Sequence, residues 1–560
     1  DEHEREQRVE VIRNGAHEQV EAVVVLDDMT FAILFVSIVI LACLVGNRIS
    51  NRIGVPMLLI FIVLGMFFGS DGVIRISFEN FELAEQICSI ALIFIMFYGG
   101  FGTKWSAAKP IALRAVILST AGVVLTAGLT ALFCYYALHI GLLESLLIGS
   151  LISSTDAASV FSILRSKRLN LKYRTASLLE VESGSNDPCS YMLTTIMLGL
   201  ISGGKISAGA ITYTVFAQII YGVAIGALMA GITIFVLKKF QVTTEGFDTI
   251  LVFAFVLLAY AVPSAVGGNG YLSAYLFGIV LGNADLDNKK SLVHFFDGVT
   301  GLMQMLVFFL VGLLAFPSAL PAVVFPSLMI ALFLTFVARP AVVCLLLTPF
   351  RSKWRQQILV SWAGLRGAAS IVFAIMARSS GTVFEHDIFH MIFFIVLFSI
   401  LLQGTLLPYV AKMLHMIDDK EDVLKTFTDY TEEVPVQFIQ FTVEENHPWA
   451  GSKIRDILLP PETLLVQIQR DEKDVTPNGD TVLVPGDTLI LSAKAPSDVD
   501  GVRLIEIELD GSHKWVGKSL SRIHLGKGKL VVMIQRGEEL IIPNGNTVFA
   551  PGDTIVIKER

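Results

Sequence analysis

Long apolar runs separated by short polar segments fill the first three quarters of the chain. A helix needs roughly 20 mostly apolar residues to cross a bilayer. Thirteen runs of this kind lie near residues 30–47, 55–70, 83–99, 110–138, 143–164, 173–202, 209–237, 247–263, 270–283, 292–316, 322–349, 354–378 and 386–415. None follows residue 416. The pattern predicts a polytopic α-helical membrane domain of about thirteen spans, followed by a soluble tail.

The composition agrees with a protein that lives mostly in lipid. Hydrophobic residues make up 54% of the chain and charged residues 16%, and the mean hydropathy is +0.67. A soluble globular domain carries far more charge. The five cysteines all lie in apolar runs without the paired spacing of a metal site or a disulfide framework. The lipid bilayer is the expected partner, and no nucleic-acid footprint is visible.

Lysine and arginine fall almost entirely in alternate loops. One set of loops holds Arg48, Arg52, Lys104, Lys109, Arg165, Lys167, Arg168, Lys172, Arg174, Lys238, Lys239, Lys289, Lys290, Arg351, Lys353 and Arg355. The other set holds only Arg75, Lys205 and Arg378. The positive-inside rule places the first set in the cytoplasm. An odd number of spans then puts the N-terminus outside and the C-terminal tail inside.

Thirteen spans divide into six, one and six, as expected for two inverted repeats joined by a linker helix. Spans five and twelve occupy corresponding places in the two halves. Both interrupt their apolar runs, with SSTD at 153–156 and GLRG at 364–367. Broken helices at matching positions are the best pointer that a sequence offers to an ion site near the middle of the membrane.

Span six carries a group of polar side chains at membrane depth. Ionisable residues are costly there and indicate function by default. Ser183, Asn186 and Asp187 lie on one helix face through three- and four-residue spacings. Their oxygen atoms suit a monovalent cation, and burial disfavours a charged carboxylate, so protons compete with the cation at Asp187. The unwound backbone near Thr155 can add carbonyl oxygens.

Other charges in these spans allow more than one interpretation. Asp156 either binds the cation or balances the exposed ends of the half-helices. Glu182 and Arg366 are predicted to form a structural ion pair, because an unpaired buried charge is unstable. Glu180 either faces a cytoplasmic funnel or contacts the ion directly. No nucleophile triad, phosphate-binding loop or metal-ligand spacing appears, so the sequence favours neither an enzyme nor a resident cofactor.

Three motifs in order give these residues a family context. TD at 155–156, ESxxND at 182–187 and GLRG at 364–367 together resemble the monovalent cation/proton antiporters of the NhaP and NHE type. The resemblance covers roughly residues 30–415. It implies thirteen helices with inverted repeats, a homodimer, an elevator-like mobile core and electroneutral exchange of one cation for one proton. The implied cation ligands are Asp187, Asp156, Ser183 and Thr155, with Asn186 beside them and Glu182 paired to Arg366.

One position departs from the family pattern. Many relatives carry an acidic residue late in span three, where this chain reads FYGG at 97–100. Tyr98 or a glycine stands in that place, so the proton-gating role of an acid there does not transfer to this chain.

The tail is an internal duplication with an offset of 66 residues. Residues 464–491 align without gaps on residues 530–557, with fifteen of 28 positions identical. Short β-rich runs alternate with PNG and PGD turns in both copies, which predicts two small β-containing domains. The pair resembles the C-terminal, TrkA-C-like half of RCK regulators, which implies tandem cytoplasmic α/β domains. No Gly-x-Gly-x-x-Gly follows a strand between 416 and 440, so no nucleotide-binding Rossmann half precedes it.

That second resemblance implies a regulatory ligand in a cleft between the lobes, within 437–560. A cyclic dinucleotide is one candidate on family grounds, and the alternative is that the lobes only hold two chains together. Because RCK-type lobes accompany potassium transport, K⁺ is the expected substrate cation in exchange for H⁺. The alternatives are Na⁺/H⁺ exchange at the same site and a ligand-gated potassium channel. A channel would need a filter sequence such as Thr-Val-Gly-Tyr-Gly, which is missing.

The resulting expectation is a multi-pass protein of a bacterial inner membrane. Its predicted segments are an extracytoplasmic lead at 1–29, a transmembrane domain at 30–415, a linker at 416–436 and RCK-C-like domains at 437–498 and 503–560.

Overall fold

The computed structural model describes most of the chain after residue 29. Within 30–560 it leaves aside 31–32, 47, 49–55, 168, 204–206, 240–245, 287–288, 419–435, 446, 458, 460–462, 471–472, 476, 495–502, 510–512, 524, 526–529, 537–538, 542 and 560. The predicted lead at 1–29 and most of the linker at 416–436 therefore lie outside the described residues.

Every predicted span contains helix. The helices are Ile33–Gly46, Met57–Phe68, Phe81–Gly102, Ala112–Ala137, Leu142–Leu151, Ala157–Ser166, Thr175–Ile201, Ala208–Lys239, Phe247–Ala265, Gly270–Gly282, Lys289–Leu314, Leu320–Phe350, Trp354–Trp362, Ala368–Ser379 and Ile388–Met413. A short turn of helix, Trp105–Ala108, follows span three. Among the described residues, seven helices are long and apolar enough to cross a membrane, and five apolar helices are shorter.

Spans five and twelve are broken where the sequence predicts. Span five unwinds between Leu142–Leu151 and Ala157–Ser166, and span twelve between Trp354–Trp362 and Ala368–Ser379. The two unwound segments meet: the backbone N–H of Asp156 donates to the carbonyl of Leu365 at 2.8 Å. Each break therefore satisfies part of the other's free backbone, which a non-helical segment at membrane depth requires.

Spans three and nine approach each other closely through glycines. A Cβ on Gly100 would lie 2.1 Å from the carbonyl oxygen of Tyr275, and one on Gly278 would lie 2.2 Å from that of Phe97. Small residues at such crossings let helix backbones pack without an intervening side chain. This contact fixes the position of span nine beside span three.

The tail forms a second compact unit. The chain divides into Asp1–Thr431 and Glu432–Arg560. The strands of the second unit are β1 Val436–Thr442, β2 Thr463–Arg470, β3 Lys473–Val475, β4 Thr488–Lys494, β5 Arg503–Glu508, β6 Leu530–Arg536, β7 Glu539–Ile541 and β8 Asp553–Glu559. They make two antiparallel four-stranded sheets of the same topology, with strand orders β1-β4-β2-β3 and β5-β8-β6-β7.

The duplication seen in the sequence extends to side-chain contacts. Arg470 donates two hydrogen bonds, of 2.6 and 2.7 Å, to the carboxylate of Asp487. Arg536 donates two of 2.8 Å to the carboxylate of Asp553. Burial alone would raise the pKa of Asp487. Hydrogen bonds from the Arg470 guanidinium and a backbone N–H have the larger effect, so the pKa is lowered. In the second lobe the Arg536 hydrogen bonds lower the pKa of Asp553. Both buried aspartates therefore stay charged and anchor their turns.

Candidate ion-binding site

The unwound segment of span five is held against span six by side chains of the predicted site. The hydroxyl of Ser183 donates to the carbonyl of Thr155 at 2.6 Å. The amide of Asn186 donates to the Thr155 hydroxyl oxygen at 2.7 Å. Because Ser183 and Asn186 are three residues apart on one helix face, they fix both the backbone and the side chain of Thr155.

Two carboxylates lie beside this junction. Asp187 is buried on span six, and its Oδ1 atom has no hydrogen-bond partner among the described residues. Asp156 is half-buried at the break in span five and accepts hydrogen bonds from the hydroxyl of Ser159 at 2.5 Å and from its backbone N–H at 3.3 Å. A buried carboxylate oxygen without a donor is costly for a structural role, because the group gives up water and gains nothing in exchange.

A cavity of about 400 Å³ connects these groups. Its polar lining includes Thr155, Asp156, Glu180, Ser183 and Asp187. Asn186 is fully buried next to them and supports Thr155 without lining the cavity. The structure thus brings together all five residues predicted for the ion site, and places a hydroxyl, a carbonyl and two carboxylates beside one another.

The predicted ion pair between Glu182 and Arg366 is wrong. Glu182 instead pairs with Arg339 of span eleven, and both side chains are almost fully buried. Arg366 donates through Nη1 to the carbonyls of Ser153, at 2.9 Å, and Ser154. The physical reason is the crossing of the two broken spans, which places Arg366 among carbonyl oxygens that the unwound helix leaves free.

Arg339 is a buried charge beside the site that sequence reasoning missed. A signal was available, since an arginine between Ala338 and Pro340 inside a long apolar run is as unusual as the acids of span six. Arg339 also lies over the second break, because a Cβ on Gly364 would be 2.9 Å from its Nε. The buried side chain of Arg339 therefore connects spans six, eleven and twelve.

The position that departs from the family pattern also faces the cavity. Tyr98 lines it, and the Tyr98 hydroxyl donates to Oδ1 of Asp297 on span ten at 3.0 Å. An acid from another span thus stands beside the tyrosine.

Comparison with known proteins places this site in a family. The family model described as sodium/hydrogen exchanger, transmembrane, matches residues 37–413. The chain belongs to the sodium/hydrogen exchanger family. A second model, the TrkA-C domain, matches residues 438–499 and 504–558, so this exchanger carries two TrkA-C domains in its tail.

Several named antiporters are similar in sequence to this exchanger. It is 33% identical over 472 residues to the K(+)/H(+) antiporter NhaP of Alkalimonas amylolytica, covering 84% of this chain and 82% of the relative. It is 31% identical over 456 residues to the K(+)/H(+) antiporter NhaP2 of Shewanella oneidensis, covering 80% and 79%. It is 25% identical over 389 residues to the Na(+)/H(+) antiporter ApNhaP of Aphanothece halophytica, covering 66% and 71%.

A solved structure has the same fold. The sodium proton antiporter MjNhaP1 from Methanocaldococcus jannaschii matches with a TM-score of 0.58 at 23% identity, covering 70% of this exchanger and 98% of that chain. The match supports the antiporter architecture of the membrane domain.

Gly367→Ala is expected to abolish exchange by this family member. A Cβ at position 367 would lie 2.0 Å from Oδ2 of Asp156 and 2.4 Å from its Cβ, so the carboxylate must leave its place. Gly99→Ala is the matched control, because Gly99 lines the same cavity and its added Cβ meets no atom within 4 Å. Proton movement coupled to cation addition in vesicles measures both variants. Full exchange by Gly367→Ala would show that Asp156 need not keep this position.

Proposed function

We propose that the protein is a secondary active K⁺/H⁺ antiporter that exchanges one cation for one proton at Asp187. The observation that carries the proposal is the Asp187 carboxylate, buried beside an unwound helix with one oxygen left unpartnered on a cavity wall. A carboxylate in this setting is unstable as a bare anion. It must hold either a proton or a cation, and that competition is sufficient for exchange.

The proposed roles of the other residues follow from their contacts. Thr155, Ser183 and Asp156 complete the cation's coordination with hydroxyl, carbonyl and carboxylate oxygens, because all three line the cavity with Asp187. Asn186 holds Thr155 in place. Arg366 keeps the unwound carbonyls of span five in position and is not a partner of the ion.

The choice of K⁺ rests on the tail. The relative from Alkalimonas amylolytica, named for K(+), aligns over 472 residues, or 84% of this chain. The exchanger match ends at residue 413, so the alignment must extend beyond it. Its similarity therefore reaches the TrkA-C region. The relative named for Na(+) aligns over 66%, which the membrane domain alone can supply. Na⁺/H⁺ antiport at the same site is the second candidate, since that relative shares the family.

The proposed setting is a bacterial inner membrane with the N-terminus outside and the tail in the cytoplasm, as the distribution of Lys and Arg favours. We propose a homodimer on family grounds, with a small-molecule regulator bound between the tail lobes within 437–560. A cyclic dinucleotide is the first compound to test.

Proton movement in reconstituted vesicles tests the transport proposal. A pH gradient is imposed, K⁺ or Na⁺ is added, and collapse of the gradient is followed with a pH-sensitive dye. Protein-free vesicles are the control. Collapse by K⁺ that does not change when the membrane potential is clamped supports electroneutral K⁺/H⁺ exchange. A response to Na⁺ alone favours the second candidate, and no response to either cation from well-folded protein contradicts both.

Removal of residues 420–560 is expected to spare exchange and to change its apparent cation affinity or its pH dependence. The reason is that the two compact units separate at residue 431, so the transport site lies wholly in the first. Exchange rates measured against K⁺ concentration and pH, with the intact chain as control, test this. Loss of all transport in a truncated protein that still folds would contradict a purely regulatory tail.

A further inference from the structure

One face of span six lines the cavity over two helical turns. Glu180, Ser183, Gly184 and Asp187 all contact the cavity and follow the three- and four-residue spacings of a single face. Seven residues of helix cover about 10 Å. The cavity wall therefore begins at one carboxylate, Glu180, and ends at another, Asp187.

A tyrosine from span nine packs between these two carboxylates. A Cβ at position 184 would lie 2.2 Å from Cε2 of Tyr275 and 2.8 Å from its hydroxyl oxygen, so only glycine permits this contact. The register of span nine is fixed nearby, because the amide of Asn269 donates to the carbonyl of Pro188 at 2.8 Å. Tyr275 is 2% exposed. The geometry thus holds its ring rigidly against span six.

The hydroxyl of Tyr275 is buried and makes no hydrogen bond of standard geometry among the described residues. Its electrostatic neighbours include both Glu180 and Asp187, and the Ser185 and Thr103 side chains lie near enough to interact with it as weak hydrogen-bond partners. The Thr103 hydroxyl itself donates to Glu180 at 3.3 Å. A buried hydroxyl without a partner costs free energy, and each such group in a well-packed protein calls for an explanation. A cation, or a water molecule that it carries, can complete the contacts of this hydroxyl.

We propose that Glu180, Thr103 and Tyr275 form a second, entry-side position for the transported cation, two helical turns before Asp187. The inference rests on the proposed function and adds a step to it. Span six begins after the basic loop that contains Lys172, so Glu180 lies toward the side that the positive-inside rule assigns to the cytoplasm. One carboxylate and two hydroxyl oxygens take the cation there, and it then passes along the Ser183 face to Asp187.

Tyr275→Phe tests the second position with little change in packing. It removes only the hydroxyl oxygen and is expected to raise the half-saturating K⁺ concentration for proton release about tenfold, the size of one lost contact to a charged group. The maximal rate at saturating K⁺ should stay within about twofold. Tyr271→Phe is the matched control, because Tyr271 lies one turn earlier on the same helix, is equally buried and packs against the rings of Tyr191 and Tyr260.

Stabilisation by K⁺ supplies a readout that does not depend on transport. The melting temperature of the full-length protein is measured against K⁺ concentration. The K⁺ concentration that gives half of the maximal stabilisation should rise for Tyr275→Phe and for Glu180→Gln. Gly184→Ala, which displaces the ring, should reproduce the effect of Tyr275→Phe. Wild-type K⁺ dependence in a folded Tyr275→Phe protein overturns the second position. A lower maximal rate with unchanged half-saturation also overturns it, because that pattern indicates a structural role.

Failure of the proposed function would look different. In that case the wild-type protein itself shows no response to K⁺ in either measurement, whereas failure of the second position leaves the wild type responsive and the Tyr275→Phe protein identical to it. If Na⁺ is the transported cation, the tenfold shift is expected in the Na⁺ titration.

Discussion

Asp187→Asn is expected to abolish cation-coupled proton movement while leaving the protein folded. The change keeps the shape of the side chain and replaces one oxygen with an NH₂ group. Because Oδ1 of Asp187 has no hydrogen-bond partner among the described residues, the substitution breaks no contact at that atom. An amide neither binds a proton near neutral pH nor neutralises a cation, so both halves of the exchange are lost.

The measurement is collapse of an imposed pH gradient in vesicles on addition of K⁺ or Na⁺. Folding is checked by the melting temperature, which we expect to match or exceed that of the wild type, since a buried charge has been removed. Asp285→Asn, in an exposed loop, is the matched control and should transport normally. Normal exchange by Asp187→Asn would show that protons and cations compete elsewhere.

Helix periodicity predicts much of this site from sequence alone. The three- and four-residue spacings of Ser183, Asn186 and Asp187 are enough to place these side chains on one face of span six. The two interruptions at 153–156 and 364–367 indicate the crossing of broken helices, which the hydrogen bond from Asp156 to Leu365 confirms. Both signals are local in the sequence, and local signals depend only on backbone geometry.

Helix periodicity does not predict which side chains of different spans contact each other. The pairing of Glu182 with Arg366 is predicted because an unpaired buried charge is unstable, but the structure brings Arg339 of span eleven to Glu182 instead. The same holds for Gly184, whose small size matters only because Tyr275, 91 residues later, packs against it. Side-chain pairing across helices depends on their rotation and depth, which apolar periodicity leaves undetermined.

In the tail, by contrast, the internal duplication allows individual side-chain contacts to be predicted. The aligned copies share an arginine and an aspartate at an offset of 66 residues, and both copies form the same bidentate pair. The bulges also repeat, between Leu465 and Gln467 in β2 and between Val531 and Met533 in β6. Because the two copies share so many residues, their side chains pack in the same way. A contact in one copy therefore predicts the equivalent contact in the other.

Arg339→Met is expected to destabilise the membrane domain by about 3–5 kcal/mol, the usual effect of removing one partner of a buried ion pair. Methionine retains much of the aliphatic stem but leaves the Glu182 carboxylate buried without its cation. The loss is large because the pair has little other support: Oε2 of Glu182 and Nε of Arg339 already lack hydrogen-bond partners among the described residues. Equilibrium unfolding in mixed detergent micelles measures the change in the free energy of unfolding.

The double variant Glu182→Gln with Arg339→Met separates pairing from packing. Removing both charges should recover most of the lost stability, because neither group is then buried as an unpaired ion. Arg378→Met is the matched control, since that arginine is exposed at the end of span twelve and should contribute less than about 1 kcal/mol. Equal losses in the single and double variants would mean that the Arg339 stem, and not its charge, holds spans six, eleven and twelve together.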